Sequence, residues 1–392
     1  MISQRQLFLH HLAQTSPSPL MLEIERAEGV YLYSPTGKRY IDLISGIGVS
    51  NVGHRHPKVM AAIQNQLEKY LHLMVYGEYV QTPQVALAKK LTEVLPKNLD
   101  SVYFVNSGSE AVEGALKLAK RYTGRQEIIS CHKAYHGSSH GALSVGGSEA
   151  FKQAYRPLLP AVRHIHYGSY SDLDKISAKT ACVIIETIQG EAGVKVACSN
   201  YFRALRKRCS QTQTLLILDE IQAGFGRTGK LFAFEHFDIL PDILVLAKGM
   251  GGGMPIGAFI ASKEIMQSLS HNPILGHITT FGGHPVSCAA ALANLEIILS
   301  ENLEVEKKAD LFKALLKDSA ILSIRNKGLM MAAEFESFEV LKPIIDKAID
   351  LGVITDWFLF CDNAMRIAPP LTISYQEIEE SCQIILKAIR SV

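Results

Sequence analysis

The sequence predicts an α/β protein: a large domain with a mostly parallel sheet flanked by helices, and a smaller α+β domain formed by both chain ends. Three observations lead there. Short, continuous apolar runs alternate with helix-like segments through the middle of the chain, the pattern of parallel strands covered on both faces. Beyond about residue 286 the texture shifts to long helices and a few strands. The chain has 392 residues, 47% of them hydrophobic, which exceeds the usual size of one domain.

Taken in order, Gly29 to Leu43 alternates apolar and polar residues around Pro35-Thr-Gly37 and reads as a β-hairpin. Apolar residues recur at helical spacing from about 57 to 70 and from 84 to 95. The strand-like runs are Val102–Val105, Ile128–Ser130, Val183–Ile185, Leu215–Leu218, Ile243–Leu246 and Ile256–Ile260. Ala111–Tyr122 and Tyr201–Cys209 are the helix-like segments between them. After residue 286 come two long helices and a few strands, ending in a helix over Gln376–Arg390. The expected division is 1–50 and 286–392 for the small domain and 51–285 for the large one.

The formal net charge is +2 without a long run of like charges, so neither nucleic acid nor an anionic membrane is expected as a partner. Apolar stretches are too short to span a bilayer, and the first twenty residues lack the pattern of a signal peptide. Seven cysteines without a CxxC pair read as reduced thiols, which suits a cytoplasmic protein.

In open parallel sheets, ligands bind beyond the carboxyl ends of the strands, and four sets of residues fall there. Asp219-Glu220 closes one apolar run, where a carboxylate can pair with a cationic ring nitrogen or simply cap the next turn. Lys248 emerges from another into Gly-Met-Gly-Gly-Gly. Desolvation there favours the free amine that Schiff-base chemistry needs, though a snorkelling lysine would look the same. Asn106-Ser-Gly-Ser-Glu110 leads from strand to helix and offers backbone N–H groups to a phosphate, or an ordinary serine cap. Tyr135-His-Gly137 puts an aromatic ring where it can stack on a planar ligand or pack into the core. The order carries more than any one set: phosphate loop, aromatic, acid, then a lysine 29 positions after the acid.

With these motifs in place, the sequence resembles the class III aminotransferases of pyridoxal-phosphate (PLP) fold type I, the family of acetylornithine, ornithine and 4-aminobutyrate aminotransferases. The resemblance runs through Gly53-His-Arg-His-Pro57, Ile185-Glu-Thr-Ile-Gln-Gly-Glu-Ala-Gly193, Leu218-Asp-Glu-Ile-Gln-Ala-Gly-Phe-Gly-Arg-Thr-Gly229, Thr279-Thr-Phe-Gly-Gly-His-Pro285 and Met365-Arg-Ile-Ala-Pro-Pro370. It implies the following roles. Gly108 and Ser109 hold the cofactor phosphate, Tyr135 and Ile221 sandwich its ring, and Gln222 meets the ring hydroxyl. Asp219 keeps the pyridine nitrogen protonated, and Lys248 carries the cofactor as a Schiff base and then shuttles the proton. Thr280 reaches the phosphate of a neighbouring subunit, implying a homodimer with shared active sites. Arg366 clamps a substrate carboxylate, and Glu191 neutralises it when an amine enters.

The resemblance also implies a donor with a terminal amino group and a 2-oxo acid acceptor such as 2-oxoglutarate. Two departures bear on the donor. The arginine that follows the aromatic-His/Trp-Gly motif in these relatives is Ser138 here, with Arg156 or Lys133 as conceivable substitutes. Ornithine-type tyrosines are replaced by Ile47, in the substrate site, and by Pro17, which speaks against ornithine.

Three rival readings are weaker. Gly224-Phe-Gly-Arg-Thr-Gly229 matches the dinucleotide fingerprint GxGxxG, but five residues separate it from its strand. His132, His136 and His140 would line one face of a helix, but Gly137 and the serines disfavour a helix, so no metal is expected. A mutase, decarboxylase or racemase would share the cofactor residues, and the Arg366–Glu191 pair favours transamination over these.

Overall fold

The computed structural model describes residues 3–75 and 77–392. Seven strands form the large sheet: β1 (Ser101–Val105), β2 (Glu127–Cys131), β3 (Val162–Ile165), β4 (Thr180–Glu186), β5 (Leu215–Asp219), β6 (Ile243–Leu246) and β7 (Gly257–Ala261). Their spatial order is β1-β7-β6-β5-β4-β2-β3, and β7 alone runs antiparallel to its neighbours.

Because side chains alternate across a strand, each apolar run feeds two cores. Val183, Ile185, Leu216, Leu218, Leu244 and Leu246 face a core shared with the helices Pro57–Leu67, Thr82–Val94, Ser199–Thr212 and Pro285–Ser300. Cys182, Ile184, Ile217, Ile243 and Val245 face the helix Gly108–Thr123 through Ala111, Val112, Ala115 and Ala119. Burial on both faces explains why these strands read as continuous rather than alternating hydrophobic runs.

The chain ends meet in a third core, where Val30, Ile41 and Leu43 pack with Phe312, Ile345 and Ile385. The hairpin Tyr31–Tyr33 with Arg39–Asp42 is present, and Arg26–Glu28 extends it. Val353–Ile354 joins the same sheet parallel to Arg39–Asp42, tying the two ends of the chain by main-chain hydrogen bonds. A further antiparallel sheet holds Ser323–Lys327, Met330–Glu334, Cys361–Ile367 and Trp357–Phe358.

Short helices over Gln4–His11, His140–Val145 and Lys263–Gln267 were not expected, and two larger differences stand out. The edge strand β3 was not expected, because only Ile165 of its four residues is fully buried and no apolar run marks it. Three helices, not two, precede the last one: Pro285–Ser300, Val305–Leu315 and Phe338–Leu351. Pro343 inside the third obscures its helical pattern.

Candidate active site

The carboxyl ends of β1, β4, β5 and β6 open on one cavity of about 570 Å³. The reversed β7 begins at the same edge, so Met254, Pro255 and Ile256 complete its wall. Gly108, Ser109, Tyr135, Asp219, Ile221, Gln222, Lys248 and Glu191 all line this space.

Lys248 follows β6 with φ at 45°, a left-handed conformation that costs a lysine on the order of 1–3 kcal/mol and persists where surrounding packing demands it. Its ammonium makes no hydrogen bond or ion pair among the described residues. Burial lowers its pKa, with Arg366 adding to the effect and the carboxylates of Glu191, Asp219 and Glu186 opposing it. The amine is thus held closer to its free form than in water.

Asp219 ends β5 and caps the next turn, one of the two roles the sequence allowed, and it has a second partner that the sequence did not suggest. Oδ1 accepts the Ile221 N–H at 2.9 Å, capping the turn, while Oδ2 lies 2.7 Å from His136 Nδ1. Burial works against a charged His136, but the hydrogen bond and charge of Asp219 outweigh it and raise the imidazole pKa. The other ring nitrogen, Nε2, is buried and has no partner among the described residues. Sequence reasoning noted the Tyr135-His-Gly motif yet gave His136 no role, since its partner lies 83 positions away. Glu186, at the end of β4, accepts the N–H groups of Tyr135 and Gly190 at 3.0 and 2.9 Å. Burial pushes its pKa up to about 7.

At the helix start, Ser107 caps Glu110 N through its hydroxyl at 3.2 Å. Among the described residues, the N–H groups of Gly108 and Ser109 have no acceptor, at the positive end of a 16-residue helix. A Cβ on Gly108 would sit 2.9 Å from Ile221 Cδ1, so a side chain there would have to push Ile221 aside. The Ser109 hydroxyl is 2.6 Å from that of Ser139, which itself donates to Glu113 at 2.6 Å.

Arg366 lies behind Glu191. Its Nη1 and Nη2 reach the two Glu191 oxygens at 2.9 and 3.0 Å, and Gln222 Nε2 adds a third donor at 3.3 Å. Burial alone would neutralise Glu191, but Arg366 overrides it and lowers its pKa. Glu191 lines the main cavity, whereas Arg366 lines only a small void of about 10 Å³ with Ile47 and Phe358. Ile47 therefore borders this second space, not the main one. It lies in a turn in which Ser45, Gly46, Ile47 and Gly48 all have positive φ, rare for a β-branched residue. Asp42 holds that turn, Oδ1 accepting from Ile44 N and Ser45 N at 2.9 and 2.8 Å.

Thr280 is exposed and does not line the cavity. Neither conceivable substitute for the arginine missing at Ser138 is in place. Arg156 pairs with Glu149, and Lys133 donates to Phe360 O at 3.3 Å; among the described residues His136 and Lys248 are the basic groups lining the cavity.

A family model described as "Aminotransferase class-III" matches residues 12–389. The chain belongs to the class-III aminotransferases. It is 38% identical over 387 residues to an acetylornithine aminotransferase of Methanopyrus kandleri, covering 97% of each chain. A transaminase from a marine Virgibacillus superposes with a TM-score of 0.92 at 27% identity, covering 99% of this chain and 98% of that one. The ornithine aminotransferase of Toxoplasma gondii ME49 does so at 0.91 and 28%, covering 98% and 94%.

Class-III aminotransferases depend on PLP, and the cavity of this one suits it. Among the described residues, uncapped N–H groups stand where an anion is favoured, a buried imidazole backs the Asp219 carboxylate, and an unpaired lysine lines the same cavity. Among the described residues of this aminotransferase, no single helix is long and apolar enough to cross a membrane.

Proposed function

We propose that this aminotransferase takes a terminal amino group from its donor and passes it to a 2-oxo acid such as 2-oxoglutarate, with Lys248 holding the cofactor covalently through its ε-amine. One observation supports this most: an unpaired lysine faces the Asp219–His136 pair, with a carboxylate-binding arginine masked by Glu191 alongside. Pyridoxal phosphate, when bound, supplies a carbonyl that receives the amino group and a ring that draws off the electrons left behind.

The chain's own residues do the rest. Gly108 and Ser109 N–H groups hold the phosphate, Tyr135 and Ile221 flank the ring, and Gln222 meets its hydroxyl. Asp219 holds a proton on the ring nitrogen. Lys248 Nζ, once displaced by the donor amine, carries the proton from the donor carbon to its new position. Glu191 covers Arg366 while an amine without a nearby carboxylate enters, then yields the guanidinium fork to the acceptor's carboxylate.

A donor panel of N-acetylornithine, 4-aminobutyrate, lysine, diamines and β-alanine, each with 2-oxoglutarate, tests the substrate reading; negligible turnover of all would sink it. Arg366→Lys keeps the charge but loses the planar fork. It is expected to raise the KM for pyruvate and 2-oxoglutarate about tenfold and leave the reaction with donor alone unchanged. An unaltered acceptor KM would remove Arg366 from the site.

The same reading includes a homodimer. Leu71, Met74, Val80, Ile274, Ile278 and Phe281 are exposed apolar residues, the last three close in sequence to Thr280. Such residues suit burial against a second copy of this chain, with Thr280 reaching that copy's phosphate. Light scattering is expected to give twice the mass of one chain, and a monomer mass at micromolar concentration overturns it. All seven cysteines are free thiols, in keeping with a cytoplasmic setting.

A further inference from the structure

Five consecutive residues, Asp356 to Phe360, all touch the Arg366–Glu191 pair. Asp356 Oδ1 accepts from Arg366 Nε at 2.8 Å, and its main-chain oxygen accepts the Arg366 N–H at 2.9 Å. The Trp357 carbonyl accepts from Arg366 Nη2 at 3.3 Å, and the Phe358 ring lies 4.4 Å from the guanidinium carbon. Leu359 N–H donates to Glu191 Oε2 at 3.1 Å, and Phe360 N–H to the Glu191 carbonyl at 3.0 Å.

These contacts divide by origin. Arg366 lies on the strand Cys361–Ile367, which pairs with Trp357–Phe358, so its contacts to Asp356, Trp357 and Phe358 stay within one sheet. Glu191 comes from a loop of the other domain, beyond β4, beside Gly190 and Gly193. Glu191 can leave without disturbing the first set. Asp356 cannot, because its main chain and side chain both hold the arginine's own strand.

We propose that Asp356 is the positioning residue of Arg366: it keeps the Nη1–Nη2 fork aimed at one point, so that Glu191 and a substrate carboxylate exchange there while the guanidinium stays still. The inference rests on the reading of Arg366 as the carboxylate clamp. It makes Asp356 a determinant of acceptor use and not of donor use. A bidentate clamp demands this, since both N–H···O bonds require a fixed plane, and a displacement of about 1 Å costs on the order of 100-fold in a positioned reaction.

The test uses the holoenzyme with pyruvate and 2-oxoglutarate as acceptors and the best donor of the panel. Asp356→Ala is expected to raise the acceptor KM about 10–100-fold. The rate at which donor alone changes the cofactor's absorbance should stay as in the parent. Asp356→Asn retains an oxygen for Nε and should return the acceptor KM to within about threefold of the parent, with thermal melting confirming that each variant is folded. Three results overturn the proposal: an unchanged acceptor KM in Asp356→Ala, an equal slowing of the donor and acceptor halves, or an Asp356→Asn as poor as the alanine variant. If Arg366→Lys also leaves acceptor KM unchanged, the clamp reading itself has failed, and that outcome is distinct from a failure at Asp356 alone.

Discussion

Replacing Lys248 with alanine is expected to abolish turnover, by about 10²–10⁴-fold from lost proton transfer alone and further from lost covalent attachment. The protein should still fold, because the lysine side chain has no hydrogen bond or ion pair to lose and its departure relieves a left-handed lysine backbone only slightly. The parent enzyme, mixed with pyridoxal phosphate, should turn yellow and keep the label on Lys248 after borohydride. The alanine variant should bind cofactor reversibly and lose it on dialysis. The pH course follows from the environment of the amine. Burial lowers the lysine below its ordinary value of 10.5, so the free amine prevails above the shifted value. Cofactor attachment by the apoenzyme should accelerate with rising pH and reach half its maximal rate clearly below 10.5. A half-point at or above 10.5, or a borohydride label on another residue, defeats the assignment.

The second large effect belongs to Asp219. Asp219→Asn keeps the shape of the side chain and an oxygen for Ile221 N–H, but cannot hold a proton on a ring nitrogen by charge. Loss of one preorganised electrostatic partner in a buried site lowers kcat by about 10²–10³-fold. Stability should change little in the asparagine variant. Asp219→Ala is different, because it strips His136 of its one hydrogen bond while that ring remains fully buried. An unsatisfied buried polar group costs about 1–3 kcal/mol, so the alanine variant should melt lower as well as turn over slowly. Steady-state kcat and thermal unfolding of the two variants separate these effects. If kcat of Asp219→Asn stays within tenfold of the parent, the carboxylate is a structural cap and no more.

Much of this was legible beforehand because parallel-sheet proteins write their sites into the chain at regular places. A strand buried on both faces must be apolar throughout, so β4, β5 and β6 stand out, and whatever polar residue ends each run faces the ligand cavity. Asp219 and Lys248 were found that way, and Gly108 with Ser109 through the helix that follows β1. The edge strand β3 escaped because its outer face meets water and no such run was needed.

The sequence by itself therefore determined the layered α/β fold and the order of the residues that line the cavity, since both follow from local periodicity and from which residue ends a strand. Only the tertiary structure decided what those residues are paired with. His136 finds Asp219 across 83 positions, whereas the contact of Glu191 with Arg366 across 175 was expected from the resemblance alone and not from any spacing. Neither Arg156 nor Lys133 takes the place of the arginine missing at Ser138, because they turn to Glu149 and Phe360 instead. Asp356 joins the pair because a β-strand register sets it beside the arginine. Such pairings depend on how separate elements pack, and a buried charge accepts whatever counter-ion the packing brings to it; no spacing along the chain encodes that choice.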